Sequence, residues 1–229
     1  MNAKKFFFYL LAVLLGGCVP ILSLHPLFTE KDAVFDEKLL GTWVDDPNSP
    51  EATWEFKRAD TNDSAYRLIF SDKEGKKGMF VAHLVKLKDK LFLDVDVHLG
   101  ESPYVLVEVK DPNVMMDPNK FDFWRYNTLF LIPAHTFIRV NSVEPQLKML
   151  LTDDEKMKEF LKADPNAIKH DFLDNSPILT ASTKELQAFV LQYADDSRVF
   201  TEAMVLSRKK TAEPNAPIGS KPGKTSKQK

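Results

Sequence analysis

The sequence contains only one cysteine, Cys18, in 229 residues. A lone thiol has no partner for an intramolecular disulfide, so the packing of apolar side chains has to stabilise the fold. Catalysis by a cysteine nucleophile is excluded at every other position. Glycine is also scarce, with eight residues, and the sequence holds neither a P-loop nor a glycine-rich dinucleotide fingerprint.

The sequence also lacks a large excess of either charge: it has 31 Lys and Arg and 33 Asp and Glu, for a formal net charge of −2. Without a basic excess the chain lacks the electrostatic footprint of nucleic-acid binding, so we expect no nucleic-acid partner. The G-x-S-x-G and H-E-x-x-H motifs of hydrolases are absent, and no motif indicates a cofactor. Hydrophobic residues make up 44% of the chain, which suffices for a sizeable core.

Long hydrophobic runs are missing too. The longest uncharged apolar stretch near the start is Phe6–Leu15, which is too short to cross about 30 Å of hydrocarbon as a helix. Lys4 and Lys5 precede it and two glycines follow it. A basic start, a short apolar core and small residues before a cleavage site are typical of a secretory signal peptide.

The residues Leu15-Gly16-Gly17-Cys18 resemble the lipobox of bacterial lipoprotein precursors. The resemblance implies cleavage between Gly17 and Cys18, a thioether-linked lipid on Cys18, and an acyl chain such as palmitate on the new amino terminus. Several acyl chains anchor a protein stably, so the implied partner is a membrane of the bacterial cell envelope. Val19 stands where an aspartate favours inner-membrane retention, so the resemblance favours the outer membrane. The alternatives are an ordinary signal peptide with an incidental cysteine, or an uncleaved anchor.

The composition divides the chain into four parts. Residues 1–17 are the predicted signal peptide, and residues 18–38 the lipidated amino terminus and tether, part of which we expect to lie against the domain. Residues 39–209 are predicted to form a single β-rich domain. The tail, residues 210–229, is rich in lysine, proline, glycine and serine with almost no apolar residue, which predicts disorder.

Period-two alternation runs from Leu39 to about Val109 and predicts half-buried antiparallel strands. Turn residues at 72–75 and 88–90 separate them. The second half adds further strand patterns at 128–140, 146–151, 177–181 and 202–209. Capping boxes at Thr152–Glu155 and Ser182–Glu185 predict two helices. The predicted fold class is therefore α+β, mainly an antiparallel sheet curled into a barrel or half-barrel, with two late helices.

Gly41, Thr42 and Trp43 resemble the Gly-x-Trp that opens the first strand of lipocalins. The resemblance implies a barrel in which the glycine lets the chain pass close to the floor and the tryptophan plugs it. The chain departs from that family in having two late helices and no second lipocalin signature. The alternative is that Trp43 and Trp54 are core residues of another antiparallel sheet.

Asp94, Asp96 and His98 share one face of a predicted strand. Two carboxylates and an imidazole can hold a divalent metal or perform acid–base chemistry. The alternative, which we favour, is that Val95 and Val97 face the core and the aspartates are the wet side of an amphipathic strand. His83 and His135, among apolar neighbours, are interpreted as half-buried, hydrogen-bonded residues.

The turn-rich segment 111–128 is unusually dense in methionine and aromatic residues. Such side chains form contact surfaces or lids over cavities, or fold back to complete a core. The candidate contact residues are Met115, Met116, Phe121, Phe123, Trp124 and Tyr126.

Three functions follow as hypotheses. The first is a membrane-anchored envelope lipoprotein with a non-catalytic binding or envelope-maintenance role, in which the curled sheet holds an apolar ligand. The second is a structural or assembly protein that docks another envelope protein through residues 111–128. The third and least favoured is a hydrolase that uses Asp94, Asp96 and a histidine.

Overall fold

The computed structural model describes residues 20–48, 50–59, 64–97, 134–200 and 202–209. The predicted signal peptide, Cys18, His98, the segment 111–128 and the tail lie outside the described residues. The described strands are β1 (Leu22–Ser23), β2 (Ala33–Val34), β3 (Gly41–Val44), β4 (Thr53–Arg58), β5 (Ala65–Ser71), β6 (Lys77–Leu87), β7 (Lys90–Val97), β8 (His135–Ser142), β9 (Leu147–Leu151), β10 (His170–Leu173), β11 (Ser176–Leu179) and β12 (Glu202–Arg208). The helices are a 3-10 turn (Glu37–Leu39), α1 (Asp154–Ala163) and α2 (Thr183–Gln192).

Eight of these strands close into an antiparallel β-barrel. The ring runs β3-β4-β5-β6-β7-β8-β9-β12 and returns to β3, because β9 pairs with both β8 and β12. Hairpins join β4 to β5, β5 to β6 and β6 to β7, with turns at Asp72–Gly75 and at residues 88–89. The predicted fold class is confirmed: a barrel with two helices late in the chain.

Buried side chains line the barrel interior. On β7, Leu93 and Val95 point inward, as the period-two pattern predicts, and they join one continuous cluster of buried residues. An eight-stranded barrel is just wide enough for its own side chains or for one small ligand. The largest fully buried members of the interior cluster are Trp43, Phe56, Tyr66, Leu39, Leu68, Leu84, Leu93 and Leu147.

A second core lies outside the barrel, between strands β6–β8 and the two helices. Val85, Phe92 and Phe137 point outward from the sheet and are almost fully buried. They belong to the same cluster as Met157 of α1 and Leu186 of α2. Strand β7 is therefore covered on both faces, and the expectation that its outward residues form a wet side is wrong.

The segment that follows the predicted lipidation site is built into this outer layer. Ile21 and Leu27 are fully buried in the outer core. Strand β1 pairs with β8 through Ser23 and His135, and β2 pairs with β6 through Val34 and Leu84. Strand β1 also pairs in parallel with β11, which forms a hairpin with β10. Residues 20–38 thus lie on the barrel along much of their length.

The two helix starts test the predicted capping boxes. At α2, Ser182 and Glu185 form the reciprocal bonds as predicted. At α1 the predicted cap is displaced by one residue, because Asp153 accepts the Lys156 N–H. The Thr152 hydroxyl instead accepts the N–H of Ile21 at 3.2 Å, so this buried threonine connects the helix start to the amino-terminal segment.

Candidate functional site

Four titratable side chains meet on the outer face of β6, β7 and β8. In the pairing register His83 lies opposite Asp94, and Asp96 lies opposite His135. Paired residues of antiparallel strands point to the same face, so adjacent strands bring the four side chains into one cluster. Sequence reasoning named all four residues separately. It grouped the two aspartates with His98 and did not place His135 in that group, because His135 lies on another strand.

Asp94 is the centre of the cluster and is fully buried. Its Oδ1 lies 2.7 Å from His135 Nδ1, and its Oδ2 accepts the backbone N–H of Leu27 at 2.6 Å. The carboxylate is buried because residues 23–28 pass over it. A buried carboxylate needs such partners, since an unpaired charge in a low-dielectric interior is very costly.

His135 is the hydrogen-bonding partner of this carboxylate. Its Nδ1 also lies 3.8 Å from Asp96 Oδ2, and its side chain is 13% exposed. Burial by itself lowers the pKa of His135, but the hydrogen bond to Asp94 and the charges of Asp94 and Asp96 outweigh it and raise the pKa. Contact with the two carboxylates therefore stabilises the charged form of His135 relative to a free histidine, and Nδ1–H donates to the Asp94 carboxylate.

Burial dominates the pKa shifts of the other two side chains, Asp96 and His83. It raises the pKa of Asp96 to about 6, although the charge of His135 partly opposes the shift. It also lowers the pKa of His83, although the charge of Asp94 partly opposes this shift. Phe28 stacks on the His83 ring with centroids 4.1 Å apart. Among the described residues, the Nδ1 atom of His83 has no hydrogen-bond partner.

The cluster contains side chains that could ligate a metal ion, but these side chains already hydrogen-bond to other groups of the protein. Ligand atoms of Asp94, Asp96 and His135 lie within 4.8 Å of one another. Both oxygens of Asp94 are already used, one by the imidazole and one by the Leu27 amide. A cation at this position would share the Asp94 oxygens with the imidazole and the Leu27 amide, and these existing contacts lead us to interpret the arrangement as a buried ion pair.

In this cluster Asp94 orients the ring of His135, as the aspartate orients the histidine in a Ser-His-Asp triad. Ser23 even lies opposite His135 in the β1–β8 pairing. Its hydroxyl, however, is fully buried and donates to the His25 carbonyl oxygen at 2.8 Å. A substrate does not reach this hydroxyl in the described conformation, so the geometry gives the hydrolase hypothesis no support.

The cluster instead fastens residues 20–38 to the barrel. The Leu27 amide and the Phe28 ring contact Asp94 and His83, respectively. On the other side, Gln187 of α2 donates to the Leu27 carbonyl oxygen at 3.0 Å and to Asp32 at 2.8 Å. The stretch just after Cys18 is therefore held between the barrel wall and a helix. We call this set of contacts the N-terminal clasp.

The Gly-x-Trp residues lie where the barrel closes. Gly41 begins β3 with a positive φ of 114°, and Trp43 is fully buried with its Nε1–H donated to the Leu39 carbonyl oxygen. The Arg208 guanidinium lies 4.3 Å above the Trp43 ring and donates to the Leu40 carbonyl oxygen. Sequence reasoning missed Arg208. The signal was its position two residues after the inward-facing Leu206, which puts both side chains on the same face of the strand.

The other candidate residues, Cys18 and those of the segment 111–128, lie outside the described residues. Within the described ranges, neither α-helix is long and apolar enough to cross a lipid bilayer. Comparison of the chain with protein-family models, with curated proteins and with solved structures finds no match.

Proposed function

We propose that this chain is a lipid-anchored protein of the bacterial envelope with a non-catalytic role, in which the barrel is a rigid scaffold for docking another envelope protein. Cys18 is the proposed anchor, and the outer membrane is the favoured location. The proposed docking surface is the segment 111–128, which belongs to the connection between β7 and β8.

The observation that carries this proposal is the cluster of buried side chains inside the barrel. Buried aromatic and aliphatic side chains from the barrel strands form one continuous cluster there. An apolar ligand in the barrel has to compete with these side chains for space, so the hypothesis of a barrel-bound ligand receives less support than docking. A packed barrel supplies stiffness, and its loops are then the natural place for recognition.

The N-terminal clasp supports the same interpretation. A protein that docks a partner at a membrane gains from a fixed orientation, because ordering a flexible linker costs conformational entropy. Ile21, three residues after Cys18, is fully buried, and Leu27 is held by Asp94. The proposed anchor is thereby coupled closely to the barrel.

The anchor is tested by intact-mass analysis of protein extracted from membranes. We expect an amino terminus at Cys18 carrying lipid, and we expect Cys18→Ser to move the protein to the soluble fraction. A different amino terminus, or an unmodified Cys18, would contradict the proposed anchoring.

The docking surface is tested by placing a photo-crosslinking amino acid at Trp124 in growing cells. We expect a discrete crosslink to one envelope protein, while the same probe at the exposed Val205 of β12 gives none. A second variant replaces residues 111–128 with a Gly-Ser linker and should keep its melting temperature. No crosslink at position 124, or a melting temperature lowered by several degrees, would show that the segment is not a docking surface.

A further inference from the structure

Strands β1, β11 and β10 extend the sheet outward from the start of β8, and the two faces of this extension differ. One face packs on the outer core through Leu179 and Pro177, which are buried, while Phe172, opposite Pro177, is 46% exposed at its edge. The other face carries apolar side chains to the surface. Leu22 and Leu24 are 39% and 38% exposed, and Leu173 is 63% exposed.

The pairing register makes these side chains neighbours. Leu22 lies opposite Ile178, and Ile178 lies opposite Asp171 of β10. Leu173 follows Asp171 by two residues and therefore projects from the same face. Leu24 shares the face of Leu22 and continues the pairing, since its N–H donates to the Leu179 carbonyl oxygen. We call Leu22, Leu24, Leu173 and Ile178 the leucine face.

The hairpin turn places Leu173 at the tip of this sheet. Leu173 pairs with Ser176 across a two-residue loop, Asp174 and Asn175. Both loop residues have positive φ values, 48° and 73°, as the tight turns of two-residue hairpins require. Asp and Asn tolerate this conformation better than most residues. The tip is thus a defined structure that presents a leucine to its surroundings.

The leucine face begins four residues after the proposed lipid anchor in the sequence. Ile21 is fixed in the outer core and its N–H is held by Thr152, so Cys18 is only three residues from a fixed point. Three extended residues span at most about 10 Å. The headgroup region on each side of a bilayer is itself about 5–8 Å thick. An anchor this short leaves little room between the barrel and the membrane.

We propose that the leucine face rests on the same bilayer that holds the lipidated Cys18, as a second membrane contact that fixes the orientation of the barrel. This inference rests on the proposed lipid anchoring. Membrane binding by an apolar surface grows with the apolar area that it buries in the interface. Asp171 lies on the same face, and a carboxylate is costly in hydrocarbon, so the contact stays at headgroup depth.

The sequence offers a clean way to label this face. Because Cys18 is the only cysteine and is consumed by lipidation, Leu173→Cys in the full lipidated protein provides one free thiol. The matched control is Val205→Cys, an exposed apolar position on the outside of β12. Each thiol carries an environment-sensitive fluorophore, and the protein is reconstituted into vesicles of phosphatidylethanolamine and phosphatidylglycerol.

We expect quenching by lipid-borne nitroxide, relative to quenching by aqueous iodide, to be several-fold greater for the label at 173 than for the label at 205. Leu22→Ser in the Leu173→Cys protein should bring the ratio toward that of the control. Equal ratios at both positions in protein shown by mass to be lipidated would overturn the membrane contact and leave the anchor standing. Shielding at 173 in detergent, together with a dimeric mass in sedimentation, would overturn it in favour of contact between two copies.

Two labelled thiols in the Leu173→Cys protein, one of them at Cys18, would instead show that the anchor itself is absent. In that case unlipidated protein is co-sedimented with the same vesicles. Binding that Leu22→Ser and Leu173→Ser together reduce several-fold would support the leucine face independently. If the unlipidated protein does not bind the vesicles, the proposed membrane contact of the leucine face is overturned.

Discussion

The barrel interior and the outer layer over β6–β8 are both buried, but they differ in chemistry and in how the chain builds them. The interior cluster is apolar and aromatic, and most of its strands are neighbours in sequence. The outer layer joins residues 20–38 to both helices. Among the described residues, the buried polar side chains that are not aromatic members of the interior all belong to the outer layer, namely Ser23, His83, Asp94, Thr152 and Lys158.

This difference suggests a division of roles. Apolar packing is non-directional and supplies most of the free energy of folding. Buried ion pairs contribute little net stability, but breaking one is costly because the remaining partner is left uncompensated. We infer that the interior stabilises the barrel, and that the outer layer determines how the segment after Cys18 is held. Variants in each region should therefore fail in different ways.

The largest expected effect lies in the interior. Trp43→Ala removes a fully buried ring that stacks under Arg208, and should lower the free energy of unfolding by about 3–5 kcal/mol. The matched control is Trp54→Ala, since Trp54 pairs with Trp43 but is only partly buried and should cost less. Urea titration measures both. A nearly neutral Trp43→Ala would show that the Gly-x-Trp match is coincidental.

The next effect lies in the N-terminal clasp. Asp94→Asn removes the charge that pairs with His135, and should cost about 1.5–3 kcal/mol, as expected for a hydrogen bond to a charged group. Amide hydrogen exchange should show faster opening of residues 21–28, while the interior strands stay protected. Asp195→Asn is the control, because Asp195 is 74% exposed in its pairs with Lys90 and Arg139, so its loss should change stability much less. Unchanged exchange at Leu27 would contradict the assigned role of Asp94.

The two regions also differ in how far their structures could be predicted from sequence. Alternation and turn residues are local signals, so they sufficed for the strands of the barrel and for their hairpins. Leu27 and Asp94 are 67 residues apart, and Asp94 and His135 are 41 apart. Alternation shows that Asp94 points away from Val95, but it contains no information about what lies over Asp94. The wet-side interpretation failed for this reason.

Short elements escaped prediction for a related reason. Strands β1 and β2 have two residues each and β10 has four, which is too few for a period to be recognised. Their conformation comes from pairing with distant strands rather than from local propensity. The one-residue shift of the α1 cap could not be predicted for the same reason, because Thr152 contacts Ile21, which is 131 residues away in sequence.

A smaller effect of opposite sign is expected at Asp96. Burial raises its pKa from 3.8 to about 6, so the folded state binds this proton more tightly than the unfolded state. The associated stability is present below about pH 4 and is lost as the pH rises toward 6. Asp96→Asn avoids this loss, so the variant should match wild type near pH 4 and exceed it by about 1–3 kcal/mol at pH 7.

The gain stays below the full value of the shift, because Asp96→Asn also removes a charge that favours the imidazolium of His135. Urea titrations across pH 4–7 measure the difference, with Asp89→Asn, at an exposed turn residue, as the control. A difference that does not change with pH would show that Asp96 is not the group responsible.

The smallest expected effect concerns the tail, which should add to neither core. Strand β12 closes the barrel and ends at Arg208, and the residues beyond it are lysine-rich with few apolar side chains. Deletion of residues 211–229 removes no predicted core side chain, so a thermal scan should give an unchanged melting temperature. A drop of several degrees would show that the tail packs against the domain. If stability is unchanged but salt-sensitive binding to anionic vesicles is lost, the tail's lysines act as an electrostatic arm, with about 1 kcal/mol for each lysine near the surface.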